Sequence, residues 1–355
     1  MIRLRLEHRS ETPHWLSLAL PVAAILATLI LCSGLVALAG ANVLNAYAQL
    51  FLTPFSTSFD LEQTAIKSAP LVLTGLAVAV AFRARFWNIG GEGQLYAGAM
   101  AAAFVGTQTW LPVAALWPLM FVCGALAGTA WALVPAVLRT RFKVDDVVTT
   151  LLLNFVLLYG MSALLTGPWK NPHAAYPTSP SIRADAYFPI LPGSSQLHLG
   201  VLIAVLAVPA VGFIMNRTTF GFAIKAVGEN ARAAAYAGIH TSWVILATAG
   251  LSGALAGLAG AGEVGGVHYQ VMADLSPGYG YTGIVVAMLA RLNPIGVLPA
   301  AVFFAVVITG AEGMSRATGV PVFLAEVIQG VSLLCMLTAL LFTQYRLRLV
   351  SSGHA

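Results

Sequence analysis

The sequence predicts an all-α, polytopic membrane helix bundle of about ten transmembrane helices, some short or broken, forming one domain over residues 1–355. Hydrophobic residues make up 59% of the chain and charged residues only 9%. Mean hydropathy is +0.85, and apolar runs recur from Leu16 to Phe342 with mostly short polar links between them. A soluble domain carries roughly a quarter charged residues because its surface must face water. This chain has too little polar surface for that.

Crossing ~30 Å of hydrocarbon at 1.5 Å per residue takes ~20 apolar residues. That criterion places spans at 16–40, 64–82, 94–110, 113–138, 147–166, 199–215, 241–264, 281–290, 295–313 and 321–343. The first follows Arg3, Arg5 and Arg9 as a signal peptide would, but its apolar run is longer than an h-region of ~7–15 residues and reads as a retained helix. The eighth is too short, since ten residues of helix reach only ~15 Å. Either the irregular Ser276-Pro277-Gly278-Tyr279-Gly280 stretch extends it or it is a half-helix.

Lys and Arg prefer cytoplasmic loops. With both termini inside, fourteen of the eighteen basic residues fall on the inner side, and Lys67, Lys170, Arg183 and Arg316 remain outside. The longest outer loops are 41–63 and 167–198. The second, rich in Pro and aromatic residues, reads as an ordered cap that either receives a soluble partner or simply connects spans. Cys32, Cys123 and Cys335 sit inside apolar runs and read as small buried hydrophobes. The net charge of +5 is scattered in twos and threes, so no nucleic-acid partner is expected. Small residues four apart, as at Gly124 and Gly128 and at Gly253 and Gly257, predict close approach of helix backbones.

Three stretches carry the functional reading. The first runs from Phe82 to Gln94 and contains Asn88-Ile89-Gly90 and Glu92-Gly93-Gln94. Its polar groups either cap a helix start, or line a route through the membrane or touch a neighbouring subunit. Asn88, Glu92, Gln94 and Asn154 are the candidate pathway residues. The second, 216–240, is a glycine-bounded, alanine-rich link with one charged edge, suited to a rigid helix laid along the membrane face and inserted into a partner's groove. Its candidate coupling residues are Gly221, Lys225, Gly228, Glu229, Asn230, Arg232, Ala233, Ala234, Ala237 and Gly238. Ala233, Ala234 and Ala237 are expected to pack into the groove, with Lys225, Glu229 and Arg232 at its rim. The third runs from Ser276-Pro277-Gly278-Tyr279-Gly280 to Asn293-Pro294-Ile295-Gly296.

Together these stretches resemble the permease subunits of nucleoside-type ABC importers, relatives of the ribose-type and branched-chain amino-acid permeases, over roughly residues 64–343. The resemblance implies a transport channel subunit in a bacterial inner membrane. It also implies three partners: a second, similar permease, a cytoplasmic ATPase coupled through 216–240, and an extracytoplasmic binding lipoprotein. The chain has no GxxxxGK[ST] phosphate loop, the Lys67-Ser68 pair lacking the glycines. No cofactor is expected on this chain, and ATP is left to the partner.

Two other protein classes share parts of this pattern. Gly250-Leu251-Ser252-Gly253 copies the GxSG of rhomboid-type proteases, but a base must lie within ~2.6–3.2 Å of the serine, and His268 falls sixteen residues on, beyond the same helix. An ion-coupled secondary transporter would also carry broken spans, yet the acids Glu92, Glu263, Asp274, Glu312 and Glu326 all sit near span ends.

Overall fold

The computed structural model describes residues 2–8 and 13–351; Arg9 and the side chain of Glu326 lie outside the described part. The described residues form thirteen α-helices and one two-stranded ladder. Each of the ten apolar segments falls on a helix. Six of these, Ser58–Arg83, Val113–Phe142, Asp146–Thr166, Leu199–Arg217, Thr241–His268 and Pro294–Thr318, are long and apolar enough to cross a membrane. The chain divides into two compact units, residues 58–305 and residues 1–57 with 306–355.

In the larger unit, α3 (Ser58–Arg83) is the central helix and α6 (Asp146–Thr166) a peripheral one, since 89% of the first span is buried against 17% of the second. Beside α3 lies α10 (Thr241–Glu263), which in turn packs on α4 (Gly91–Gly106) and α5 (Val113–Phe142). Their backbones touch where the spaced glycines predicted it. A Cβ on Gly257 would lie 2.2 Å from the Gly124 carbonyl oxygen, one on Gly128 2.1 Å from that of Gly253, and one on Gly98 2.2 Å from that of Gly257. Without side chains in the way, van der Waals contact between backbones replaces a hydrophobic drive that lipid cannot supply.

Helix α7 (Leu199–Arg217) leads into α8 (Thr219–Glu229) and α9 (Ala231–Tyr236). Helix α10 closes in a π turn, Val264–His268, and the chain then runs irregularly to α11 (Tyr279–Leu289). The eighth apolar segment thus lies on a helix of 11 residues, which reaches ~16 Å, about half the thickness of a hydrocarbon core. Residues 167–198 form an ordered cap stitched to the end of α10 and the chain beyond it. Ser179 N donates to Val271 O (2.9 Å), Ile182 N to Tyr269 O (2.8 Å) and Phe188 N to Gly265 O (2.8 Å), while Tyr187 stacks on Tyr269 with ring centroids 3.9 Å apart.

The smaller unit holds α1 (His14–Leu38), α2 (Val43–Leu52), α13 (Val322–Gln344) and the C-terminal part of α12 (Pro294–Thr318). The expected external loop 41–63 is largely helical instead. Asn42 caps α2 through Asn45 N at 3.2 Å, a 3-10 turn follows at Thr53–Phe55, and α3 already begins at Ser58. The physical reason is packing: Ala46 joins Cys32, Val36, Met314 and Ile328 in one buried cluster, although ten residues are too few to span. One short ladder joins the helices at the termini. There β1 (Ile2–His8) pairs antiparallel with β2 (Tyr345–Ser351), from Ile2↔Ser351 to His8↔Tyr345. Both segments alternate apolar and charged residues through Arg3-Leu4-Arg5-Leu6 and Arg346-Leu347-Arg348-Leu349, a period of two that suits a strand and not a helix.

Candidate functional site

The chain leaves α3 at Arg83, turns with Arg85 at φ 52° and runs without helix to Gly90 before α4 starts. Non-helical backbone at membrane depth survives only where protein or water satisfies it. Here side chains do so. Asn88 Oδ1 accepts from Gly90 N (3.0 Å) and Gln94 Nε2 (2.9 Å). Its Nδ2 donates to Gln94 Oε1 (2.9 Å) and Ser252 Oγ (3.0 Å), and Ser252 in turn donates to Ala77 O at 2.7 Å. Asn154, on α6, accepts from Gly93 N (2.9 Å) and donates to Ile89 O (3.0 Å) and Tyr281 Oη (3.2 Å). Asp146 accepts from Trp87 N at 2.6 Å and pairs with Arg139, which also donates to Arg85 O at 2.7 Å.

Glu92 joins two helix starts. It lies in the first turn of α4, and its Oε2 accepts from Gly280 N, in the first turn of α11, at 2.7 Å. Helix N-termini carry partial positive charge and unsatisfied N–H groups, so a carboxylate is at home between two of them. Gly280 is required for this approach, because a Cβ there would lie 2.2 Å from Glu92 N. Just ahead of α11, Ser276 Oγ accepts from Gly278 N (3.2 Å) and Tyr279 N (2.9 Å). Tyr96 Oη donates to Ala273 O (2.6 Å) and accepts from Ser276 N (3.2 Å).

The structure therefore buries all four sequence-chosen pathway residues around the start of α4, Asn88 and Gln94 bonded to each other, Asn154 to the half-buried Tyr281, and Glu92 to Gly280 N and the half-buried Ser276. Each of the three carboxamides has both its oxygen and its nitrogen engaged within the chain. Ser252 serves as a bridge between helices, and His268 pairs with Glu263 at 3.5 Å. The geometry of a serine–histidine dyad is absent.

The link 216–240 is two helices, not one. Asn230 breaks it and caps α9 through Arg232 N and Ala233 N, both at 3.0 Å. Gly221 and Gly228 face inward: a Cβ would lie 2.2 Å from Ile214 O at the first and 1.9 Å from Arg83 O at the second. Ala234 is buried within its own chain, which corrects the expectation that it packs into a partner's groove. Glu229, Asn230, Arg232, Ala233, Ala237 and Gly238 are exposed, and Lys225, half-buried, donates to Asn216 Oδ1 at 2.9 Å. Sequence reasoning missed the apolar groups on this face, Phe222 at 68% exposed and Tyr236 at 95%. Beside them lies a cleft of about 510 Å³ lined by Thr219, Phe220, Ala223, Gly238, Ile239, His240, Trp243 and Val244.

Residues 61–337 match the family described as branched-chain amino acid transport system / permease component. The chain is 38% identical to the glucose ABC transporter permease protein TsgB13 of Haloferax volcanii, over 97% of this chain and 93% of that one. It is 34% identical to the guanosine ABC transporter permease protein NupP of Bacillus subtilis, over 89% and 92%. It is 32% identical to the nucleoside ABC transporter permease protein NupB of Lactococcus lactis subsp. cremoris, over 87% of each. No solved structure matches the chain significantly. The family match and these identities show that the chain belongs to the branched-chain amino acid transport system permease family, as a multi-pass membrane permease subunit of an ABC importer and not an enzyme.

Proposed function

We propose that this chain passes nucleosides or related sugars inward through a bacterial inner membrane, in a channel completed by a second, homologous permease. A cytoplasmic ATPase drives it and an extracytoplasmic binding lipoprotein delivers solute. The names of the guanosine, nucleoside and glucose relatives support the substrate class. Ten crossings with both termini inside fit the excess of basic residues on one side. They also fit the pairing of β1 with β2, which brings the two chain ends together.

The observation that carries the coupling is the contact of Gly228 with Arg83 and Ala84. It seats α8 directly on the end of α3, where the Phe82–Gln94 stretch begins. A push on α8 from an ATPase gripping Phe222, Tyr236 and the charged rim is delivered to that elbow. Asn88, Glu92, Gln94 and Asn154 then border the pathway as its closed frame. No cofactor binds this chain in the proposed cycle, and ATP is hydrolysed by the partner.

Uptake of labelled guanosine, ribose, glucose and branched-chain amino acids in a strain lacking this chain tests the substrate class. Loss of amino-acid uptake alone would overturn it. Uptake that survives ATP depletion but not collapse of the ion gradients would favour a secondary transporter instead.

A further inference from the structure

At the end of α7 away from α8, the ordered cap and α3 enclose a recess of about 210 Å³ whose walls include Gln63, Ser195, Gln196, His198, Gly266 and Tyr269. His198 is 3% exposed. Its Nδ1 accepts from Gly200 N at 3.2 Å, so the proton of the neutral ring sits on Nε2, and that buried Nε2 has no hydrogen-bond partner. Buried polar groups are nearly always paired in native structures, and an orphan calls for an explanation. Burial holds this imidazole neutral, with its pKa pushed down to about 4, so the site offers a donor and no charge.

The remaining walls are mixed: Ile66, Phe188, Ile190 and Val267 are apolar, and the polar side chains among them carry no charge. Gln63 Nε2 donates to Gln196 Oε1 across the recess. Glu62 fixes the cap from behind by accepting from Ser195 N (3.1 Å), Ser195 Oγ (2.8 Å) and Gln196 N (2.8 Å). Tyr269 supplies an aromatic wall and is itself braced by Tyr187. The imidazole fits because residue 266 is glycine, where a Cβ would fall 2.2 Å from His198 Nδ1. The recess volume equals about seven water molecules at ~30 Å³ each, and drug-sized ligands occupy ~300–1,000 Å³. One small ring fits.

We propose that this recess is a solute subsite for a single neutral hydroxylated ring, a pentose or hexose, one of whose oxygens accepts the His198 Nε2–H. This rests on the transport function proposed above and adds the place where the permease itself first holds the sugar moiety. A neutral donor, a carboxamide pair and an aromatic face recognise hydroxyls without binding an ion.

The test uses the assembled transporter in cells. Ser195→Cys, at an exposed position on the rim, is labelled with a membrane-impermeant maleimide with and without saturating guanosine, ribose or glucose. His198→Asn is assayed for uptake; asparagine keeps the cap on Gly200 N but is too short to place a donor where Nε2 lies. Solute should slow labelling at least fivefold. His198→Asn should abolish that protection and raise KM about tenfold, with the maximal rate within twofold of the parent. Gln63→Leu, on the opposite wall, should raise KM in the same way and gives a second reading if His198→Asn fails to insert. Unchanged labelling while the parent still takes up solute, or an unchanged KM in either variant, would overturn the subsite and leave the transport function standing. Failure of the parent to take up any nucleoside or sugar would overturn both.

Discussion

Gly228→Ala adds one methyl group at the point where α8 meets α3. The new carbon would lie 1.9 Å from Arg83 O, whereas ordinary contact begins at 3.4 Å, so α8 and the end of α3 must separate by about 1.5 Å, the difference of the two. The obstacle is backbone, which cannot swing aside as a side chain would. Overpacking of this kind costs ~1–3 kcal/mol, and a coupling energy of that size corresponds to ~5–150-fold in the coupled equilibrium. Uptake should therefore fall at least fivefold. The same membranes report insertion of the permease and co-purification of the ATPase, which should both persist because the Phe222–Tyr236 face is untouched. Gly212→Ala is the control: it makes the same chemical change inside α7, with nothing within 4 Å of the new carbon, and should transport like the parent. Parental uptake by Gly228→Ala would refute coupling through this contact.

Four further outcomes follow from the geometry. Ser252→Ala removes the bridge from Asn88 to Ala77 O and should cost ~0.6–1.7 kcal/mol, read as a lower thermal midpoint of the detergent-extracted protein; an unchanged midpoint would dismiss the bridge. A cysteine replacing Tyr236 should resist an impermeant reagent in intact cells while one replacing Tyr176, 79% exposed on the cap, reacts, and the reverse pattern would invert the topology. Phe222→Ala and Tyr236→Ala should release the ATPase on co-purification, whereas Lys225→Ala only weakens it, because exposed ion pairs contribute just ~0–1 kcal/mol. His198, whose pKa is lowered from 6.5 to about 4, is neutral when folded and protonated when unfolded between those values. Its contribution is thus full above pH 6.5 and is lost as pH falls towards 4; His198→Asn should flatten that part of the stability profile measured by thermal unfolding.

Much of the helical framework was legible because membrane spans announce themselves by length and apolar composition alone. The glycine contacts at 124, 128, 253 and 257 were legible for a related reason: spacing by four places residues on one helix face. What the sequence hid was the direction of each small residue on α8 and α9. Ala233 and Ala234 are adjacent alanines with the same chemistry, yet the fold leaves the first exposed and buries the second. Helix α2 was missed because ten residues fail a length criterion built for spans, although Asn42 offered a cap and the run behind it is apolar. The network around Asn88 and Glu92 was only half readable. Its polar residues stood out, but their partners Ser252 and Gly280 lie 164 and 188 residues away in sequence. The terminal ladder was visible in its alternation, yet strand pairing between the two ends of a chain is fixed by tertiary structure and by no local signal.

The two kinds of contact in the larger unit bear directly on how the proposed channel opens. Helices α4, α5 and α10 meet through glycine backbones with no spare distance between them. Helices α3 and α11 do the same where Gly283 seats on Thr74, whose hydroxyl also reaches Tyr279 O at 3.0 Å. Such close-packed contacts resist sliding, because interiors at this density are not continuously deformable. The polar links between the two groups behave differently. Asn88 with Ser252 and Ser252 with Ala77 O can each exchange a protein partner for water or solute at little net cost. On the proposed function, a displacement entering at Gly228 reaches the end of α3 first and is relieved along this polar seam. On this reading Asn88, first singled out as a lining residue, is a group that lets the seam part, and solute follows the water that replaces it.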